Sequence, residues 1–188
     1  MRMAGRDLTL KNKTEVVIRT VKAAEAGQFV KFINRIYRSN DLLEYTSSEM
    51  KLIKKRKVRK KIKEFEKAKR QILLGVYHEG ELVGICCVYR TAEREKLFHR
   101  AGLYIALDEA FRGTGLGASL MKMAFDFASK VAYEQFETTV LDGNTPAFIL
   151  CTEYGFKAMC RFSRAFKNMK GAYQDSILLV KYLNNYEI

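Results

Sequence analysis

The chain has 188 residues, 48% hydrophobic and 29% charged, with 12 Phe, 10 Tyr and a single Pro. That is the composition of one ordinary globular domain with a sizeable core, and it excludes a largely disordered or collagen-like polymer. The balance of 34 Lys+Arg against 21 Asp+Glu leaves a net charge of +13, which raises the question of a nucleic-acid or anionic-lipid partner.

No stretch reaches the roughly 18 apolar residues of a membrane span. Met1 to Lys13 carries charges without the apolar core of a secretory signal. The expectation is therefore a cytoplasmic protein with a flexible segment at 1–13 and one domain over 14–188. Glu15 to Arg19 reads as a strand. Ala23 to Tyr37 reads as an amphipathic helix with Ala26, Phe29, Val30, Ile33 and Ile36 on one face. A second helix is expected from an N-cap at Ser47 or Ser48 to about Gln71, with Met50, Ile53, Val58, Ile62 and Phe65 as a narrow apolar stripe. Between Lys51 and Arg70 stand twelve Lys or Arg against Glu64 and Glu66. Only Phe65 interrupts that run as an aromatic, and it belongs to the stripe, so the helix is read as a solvated face, with phosphate binding as the rival reading.

Ile72 to Tyr77 and Leu82 to Arg90 read as a hairpin turning at His78-Glu79-Gly80-Glu81. Leu97 to Leu107 extends it by a third strand. Then come a glycine loop, a helix from Leu116 to Val131, a strand at Phe136 to Leu141, a helix from Pro146 to Tyr154, and two strands, Lys157 to Lys167 and Asp175 to Leu183, about a Lys170-Gly171 turn. The four cysteines, Cys86, Cys87, Cys151 and Cys160, form no C-x-x-C pair, so free buried thiols are expected and no metal site. The fold class is a mixed α/β sheet with helices on both faces.

The densest chemistry lies in Arg112-Gly113-Thr114-Gly115-Leu116-Gly117, between an apolar strand and a helix. Glycines permit positive φ and let successive N–H groups converge on an anion at the positive end of a helix. A Walker A loop is excluded, because Ala118 and Ser119 follow Gly117 where Lys and Ser/Thr are required. A dinucleotide fingerprint fits formally as Gly113-Thr114-Gly115-Leu116-Gly117-Ala118, with Glu137 about 20 residues on. However, Asp108 to Phe111 intervene after the strand, and few residues remain for further βαβ units.

At this point the sequence resembles the GNAT superfamily of acetyl-CoA-dependent N-acetyltransferases. Its (Q/R)-x-x-G-x-(G/A) signature corresponds to Arg112, Gly115 and Gly117, and its N-x-x-A-x-x-L signature, followed by G-F, corresponds to Asn144, Ala147, Leu150, Gly155 and Phe156. The resemblance runs from about Val16 to Leu183. It implies a single domain whose mostly antiparallel sheet splays at a parallel strand pair, Leu103 to Leu107 beside Phe136 to Leu141. It also implies acetyl-CoA as donor, a pantetheine arm along Ala106, Leu107 and Asp108, and a pyrophosphate over Arg112, Gly113, Thr114, Gly115, Leu116, Gly117 and Ala118, with Asn144 and Ala147 nearby.

The implied reaction is direct attack by a primary amine, borne by a protein or a small molecule. The family often takes its acid from a tyrosine just after Leu150, where this chain has Cys151; Tyr154 is a possible substitute. For the base, Tyr104, Asp108, Glu109 and Asp142 lie near strand ends and His99 farther up the strand. The missing tyrosine leaves an alternative: a non-catalytic module that binds acyl-CoA or docks nucleic acid. Either a monomer or a homodimer fits.

Overall fold

Residues 5–38, 42–168 and 171–183 are described by the computed structural model. Its strands are β1 (Arg6–Thr9), β2 (Glu15–Thr20), β3 (Ile72–His78), β4 (Glu81–Arg90), β5 (Arg100–Leu107), β6 (Gln135–Leu141), β7 (Lys157–Lys167) and β8 (Tyr173–Tyr182). They form one sheet in the order β1-β2-β3-β4-β5-β6-β8-β7. Every neighbouring pair is antiparallel except β5 and β6. The helices are α1 (Ala26–Arg38), α2 (Ser47–Lys51), α3 (Lys55–Lys67), α4 (Leu116–Lys130) and α5 (Thr145–Glu153).

Side chains alternate across a strand, so the central strands feed two cores. Leu74, Val76, Cys86, Leu103 and Phe136 pack against Leu116, Leu120, Ala124 and Phe127 of α4 and Cys151 of α5. On the other face Leu73, Tyr77, Ile85 and Ala106 pack against Phe32, Ile33, Ile36 and Tyr37 of α1, Met50 of α2 and Ile62 of α3. Cys86 and Cys87 thus lie on opposite faces, as alternation requires. All four cysteines are free, but Cys160 is exposed where a buried thiol is expected.

The β3–β4 turn is a two-residue loop, Glu79-Gly80, with both residues at positive φ (48° and 81°) between the paired His78 and Glu81. That geometry matches the right-handed strand twist.

The expected long second helix is two helices. Thr46, rather than Ser47 or Ser48, is the N-cap of α2; its hydroxyl accepts from the Glu49 amide while the Glu49 carboxylate accepts from the Thr46 amide. The chain breaks at Leu52–Lys54 because Ile53 and Val58 are five residues apart, a spacing that puts them about 140° from one another on a continuous helix. Restarting at Lys54 lets Met50, Ile53, Val58, Ile62 and Phe65 all face inward. Within the stretch expected to be flexible, Arg6–Thr9 forms β1, paired in register with Glu15–Ile18, and Leu10 is buried in the core. Of the closing turn expected at Lys170-Gly171, Lys170 lies outside the described residues.

Candidate functional site

The parallel pair β5–β6 is joined only at Arg100–Gln135, Ala101–Phe136 and Gly102–Glu137. Beyond those positions β6 remains paired along its whole length with β8, and β5 with β4. The two strands therefore diverge, and Ile105 and Leu107 line a gap in the sheet. Their orientation follows from hydrogen bonds at either end of β5: the Glu134 amide donates to the His99 carbonyl on the β6 side, and the Asp108 amide donates to the Val83 carbonyl on the β4 side. Backbone groups alternate along a strand, so the N–H and C=O of Leu103, Ile105 and Leu107 face the gap. Ala106 and Asp108 turn theirs toward β4. Of the three residues expected to run beside the pantetheine arm, Leu107 presents a backbone amide there, while its carbonyl accepts from Arg112 Nε. Ile105 is a second such position, which the motif did not single out.

At the end of β5 the chain makes a short 3-10 turn, Glu109–Phe111, and enters the glycine loop. Gly113 and Gly115 have φ of 71° and 84°, and Gly115 is the N-cap of α4. A residue with a Cβ pays for such angles, which explains why glycine stands at both positions. Among the described residues, no acceptor takes the backbone amides of Gly113, Thr114, Gly115, Leu116, Gly117 or Ala118. Six successive unpaired donors at the positive end of a 15-residue helix form a cradle for an anion.

The loop is braced rather than free. Thr114 is buried, its hydroxyl donates to the Phe111 carbonyl at 2.8 Å, and its carbonyl accepts from the Lys11 amide at 3.2 Å. Arg112 stays exposed, with Nε 3.4 Å from the Leu107 carbonyl. Gly117 has a packing role: a Cβ there would stand 3.1 Å from Leu150 Cδ2. This is where the two signature motifs meet, α5 closing directly onto the first turn of α4.

Asn144 caps α5, its Oδ1 accepting from the Ala147 amide at 3.4 Å, and its Nδ2 donates to the Leu42 carbonyl at 3.5 Å. Ala147 packs at the edge of the core. Tyr154 donates to the Ala118 carbonyl at 3.3 Å. Cys151 is buried in the core, and burial pushes its thiol up to about 11. Asp142 is held just past the end of β6, where Arg161 bridges its carboxylate (2.8 Å) and that of Asp175 (2.9 Å). Asp108 is clamped by Arg35 of α1, whose Nε lies 3.0 Å from both carboxylate oxygens. His99 sits at the joined end of the strand pair, away from the divergence.

The opposite mouth of the gap is built by residues the motifs do not contain. Residues 42–46, before α2, lie against it: Leu42 is held by Asn144, and the Tyr45 ring packs edge-on against Tyr37 with centroids 6.4 Å apart. Tyr37 and Tyr104 of β5 bring their hydroxyls to 3.4 Å. Burial raises the pKa of both, that of Tyr104 well above the ordinary phenol range, so both stay protonated. Tyr89 of β4 lies across Gly102, the last residue of β5 joined to β6; a Cβ there would fall 2.3 Å from the ring. Beside it Glu137 is ion-paired to Arg100. Glu44 stands in the same segment, and desolvation by the surrounding protein raises its carboxyl pKa. Among the described residues no hydrogen bond or ion pair engages that carboxylate. Tyr89 also walls a cavity of about 710 Å³ that Lys61, Glu64, Phe65, Cys87 and Arg90 line from α3 and β4.

Among solved structures, an acetyltransferase of the GNAT family from Streptococcus pneumoniae superposes with a TM-score of 0.83 at 21% identity, covering 90% of this chain and 99% of that one. The Salmonella typhimurium protein yncA with its cofactor acetyl-CoA gives 0.79 at 13%, covering 92% and 96%. A ribosomal-protein-alanine N-acetyltransferase from Brucella melitensis gives 0.76 at 16%, covering 88% and 98%. At these identities the likeness is one of fold. A search of curated proteins finds no match. The Acetyltransferase (GNAT) family model matches residues 32–156, from the middle of α1 through both signature motifs. The chain belongs to that family of acetyltransferases and uses acetyl-CoA.

Proposed function

We propose that this protein is an N-acetyltransferase whose cradle and gap hold acetyl-CoA from the α4–α5 side while a primary amine approaches from the α1–α3 side. The observation that carries this reading is the row of six unpaired amides from Gly113 to Ala118, one short turn beyond the Ile105 and Leu107 amides that face the gap. The residues present fit the group: the amides suit its diphosphate and the strand edge suits the amides of its arm. Acetyl-CoA supplies the acetyl group as an activated thioester.

Glu44 is proposed as the group that takes a proton from the incoming ammonium, since its carboxylate is unengaged whereas those of Asp108 and Asp142 are held by arginines. The tyrosine faces around it suit a cationic amine before that proton is lost. Tyr154 Oη is proposed as the donor of a proton to the leaving sulfur. Its side chain is only partly buried, whereas the Cys151 thiol is enclosed in core. Asp142 is proposed to position the β6–α5 connection through Arg161.

The test is a turnover assay with a thiol-reactive reporter on a panel of primary amines, run with the Gly115→Glu variant beside the wild type. The wild type should release free thiol in an amine-dependent manner. Gly115→Glu, which places a negative side chain in the cradle at a positive φ, should lose acetyl-CoA binding. Acetyl-CoA binding without turnover on any amine would favour a non-catalytic binding module.

A further inference from the structure

The reaction makes no use of the most heavily charged element of the molecule. The stretch from Lys51 to Arg70 carries a net +10 of the chain's +13. The structure sorts it into two faces: Ile62 is buried, and Val58 and Phe65 pack against the same core, while Lys55, Arg56, Lys57, Arg59, Lys60, Lys61, Lys63 and Lys67 are all exposed. Little inside the molecule neutralises them. Among the described residues the ion pair on α3 is Lys61–Glu64 at 3.1 Å, and Glu66 is turned toward the Ala23 amide.

This arrangement opposes the helix's own stability. Lys54 at the N-cap makes no side-chain cap bond, and Lys55, Arg56 and Lys57 fill the first turn with no acidic residue, so cations crowd the positive end of the helix dipole. Arg56 and Lys60, Arg59 and Lys63, and Lys63 and Lys67 stand as like charges four residues apart, a destabilising spacing. A solvated helix gains nothing from such a sequence; a helix that meets a polyanion does.

We propose that the exposed face of α3 docks double-stranded nucleic acid through its phosphate backbone. Arg56, Arg59, Lys60, Lys63 and Lys67 fall within about 100° of one another around a helix about 20 Å long, a stripe of cations that can follow the phosphates of one duplex. A membrane is a poorer match, because α3 turns its apolar stripe onto the core and would meet anionic headgroups by charge alone, without the inserted face that strengthens such contacts. The exposed face carries no aromatic side chain, so bases are not stacked and the contact is independent of sequence.

The experiment measures fluorescence anisotropy of labelled 20-base-pair DNA and RNA duplexes at several salt concentrations between about 50 and 200 mM, with polyglutamate as competitor. The wild type is expected to bind both duplexes, with log affinity falling against log salt at a slope of about −4 or steeper. The variant R56Q/R59Q/K60Q/K63Q should weaken binding at least tenfold and flatten the slope by about one per contact removed. Its thermal midpoint should be equal or higher, because like-charge repulsion is relieved. Absence of duplex binding at 50 mM, wild-type affinity in the variant, a lowered midpoint showing that the cations are structural, or tighter binding to polyglutamate would each overturn the proposal. Acetyl-CoA binding by the same variant should be unchanged, so this result stands apart from that of the transferase assay.

Discussion

At the level of the single residue, Glu44 is the proposed base. A carboxylate is a weak base for an ammonium group, and desolvation strengthens it by raising its pKa. The deprotonated form exists above that pKa, so activity should climb as pH rises through it. Glu44→Gln should remove that limb of the pH–rate profile and lower kcat/KM by about a hundredfold, with acetyl-CoA binding intact; an unchanged profile would assign the proton to solvent. Tyr154→Phe should lower kcat while Cys151→Ala leaves it near the wild-type value, and the reverse ranking would return the acid role to the thiol. Gly102 is a matter of space. Gly102→Ala drives a methyl into the Tyr89 ring, an overpacking that costs about 1–3 kcal/mol, so the thermal midpoint should fall by several degrees and the acceptor KM should rise. Wild-type values for both would show that the ring moves freely.

Glu25 has a pH signature of another kind. Burial pushes its carboxyl up, but hydrogen bonds from Arg19 and the Lys22 amide outweigh this and hold it below its usual range. A carboxyl with a depressed folded-state pKa stabilises the fold fully above its unfolded value of about 4.3 and loses that contribution as pH falls through the lower folded one. Glu25→Gln should therefore lose less of its thermal midpoint between pH 6 and 3.5 than the wild type. Equal losses would contradict the assignment.

At the scale of elements, the β1–β2 hairpin is a brace for the cradle. Its turn donates the Lys11 amide to the Thr114 carbonyl, and the Lys11 side chain runs over Gly115. Deleting residues 1–9 should weaken acetyl-CoA binding several-fold as well as lower the thermal midpoint; retained affinity would leave the hairpin a purely peripheral strand. The same comparison shows what a sequence makes legible. The glycine loop is local, so its conformational demands are written in consecutive residues. So are the period-two runs of β3 and β4 and the Asn144 cap. β1 is four residues long with little apolar content, which is too weak a pattern to stand out from a flexible start. The break between α2 and α3 is encoded in the five-residue step from Ile53 to Val58, a signal readable only by checking phase along the whole stripe. The mouth proposed for the acceptor is not legible because Tyr37, Glu44, Tyr89, Tyr104 and Glu137 come from five separate elements or connections and converge only through the sheet order.

For the molecule as a whole, the divergence of β5 and β6 organises everything else. It is possible because β4 and β8 keep the outer edges of those strands paired, so the sheet opens without leaving long exposed edges. The two cores then hold different machinery on the two faces, the cradle with α4 and α5 on one and the tyrosine-lined mouth with α1 to α3 on the other. The strongly basic α3 lies on the face with α1 and α2, so a nucleic acid docked there would sit on the side proposed for the amine. No helix among the described residues is long and apolar enough to cross a membrane.

Acetyl-CoA is proposed to lie on the Gly113–Ala118 amides and the gap-facing edge of β5. The most direct measurement is a two-dimensional amide NMR titration of the nitrogen-15-labelled protein with acetyl-CoA. The largest shifts should fall on Gly113 to Ala118 and on Ile105 and Leu107, with Ala106 and Asp108 moving less because their amides are bonded to β4. Saturating binding that leaves those amides unmoved and shifts another part of the chain would contradict it.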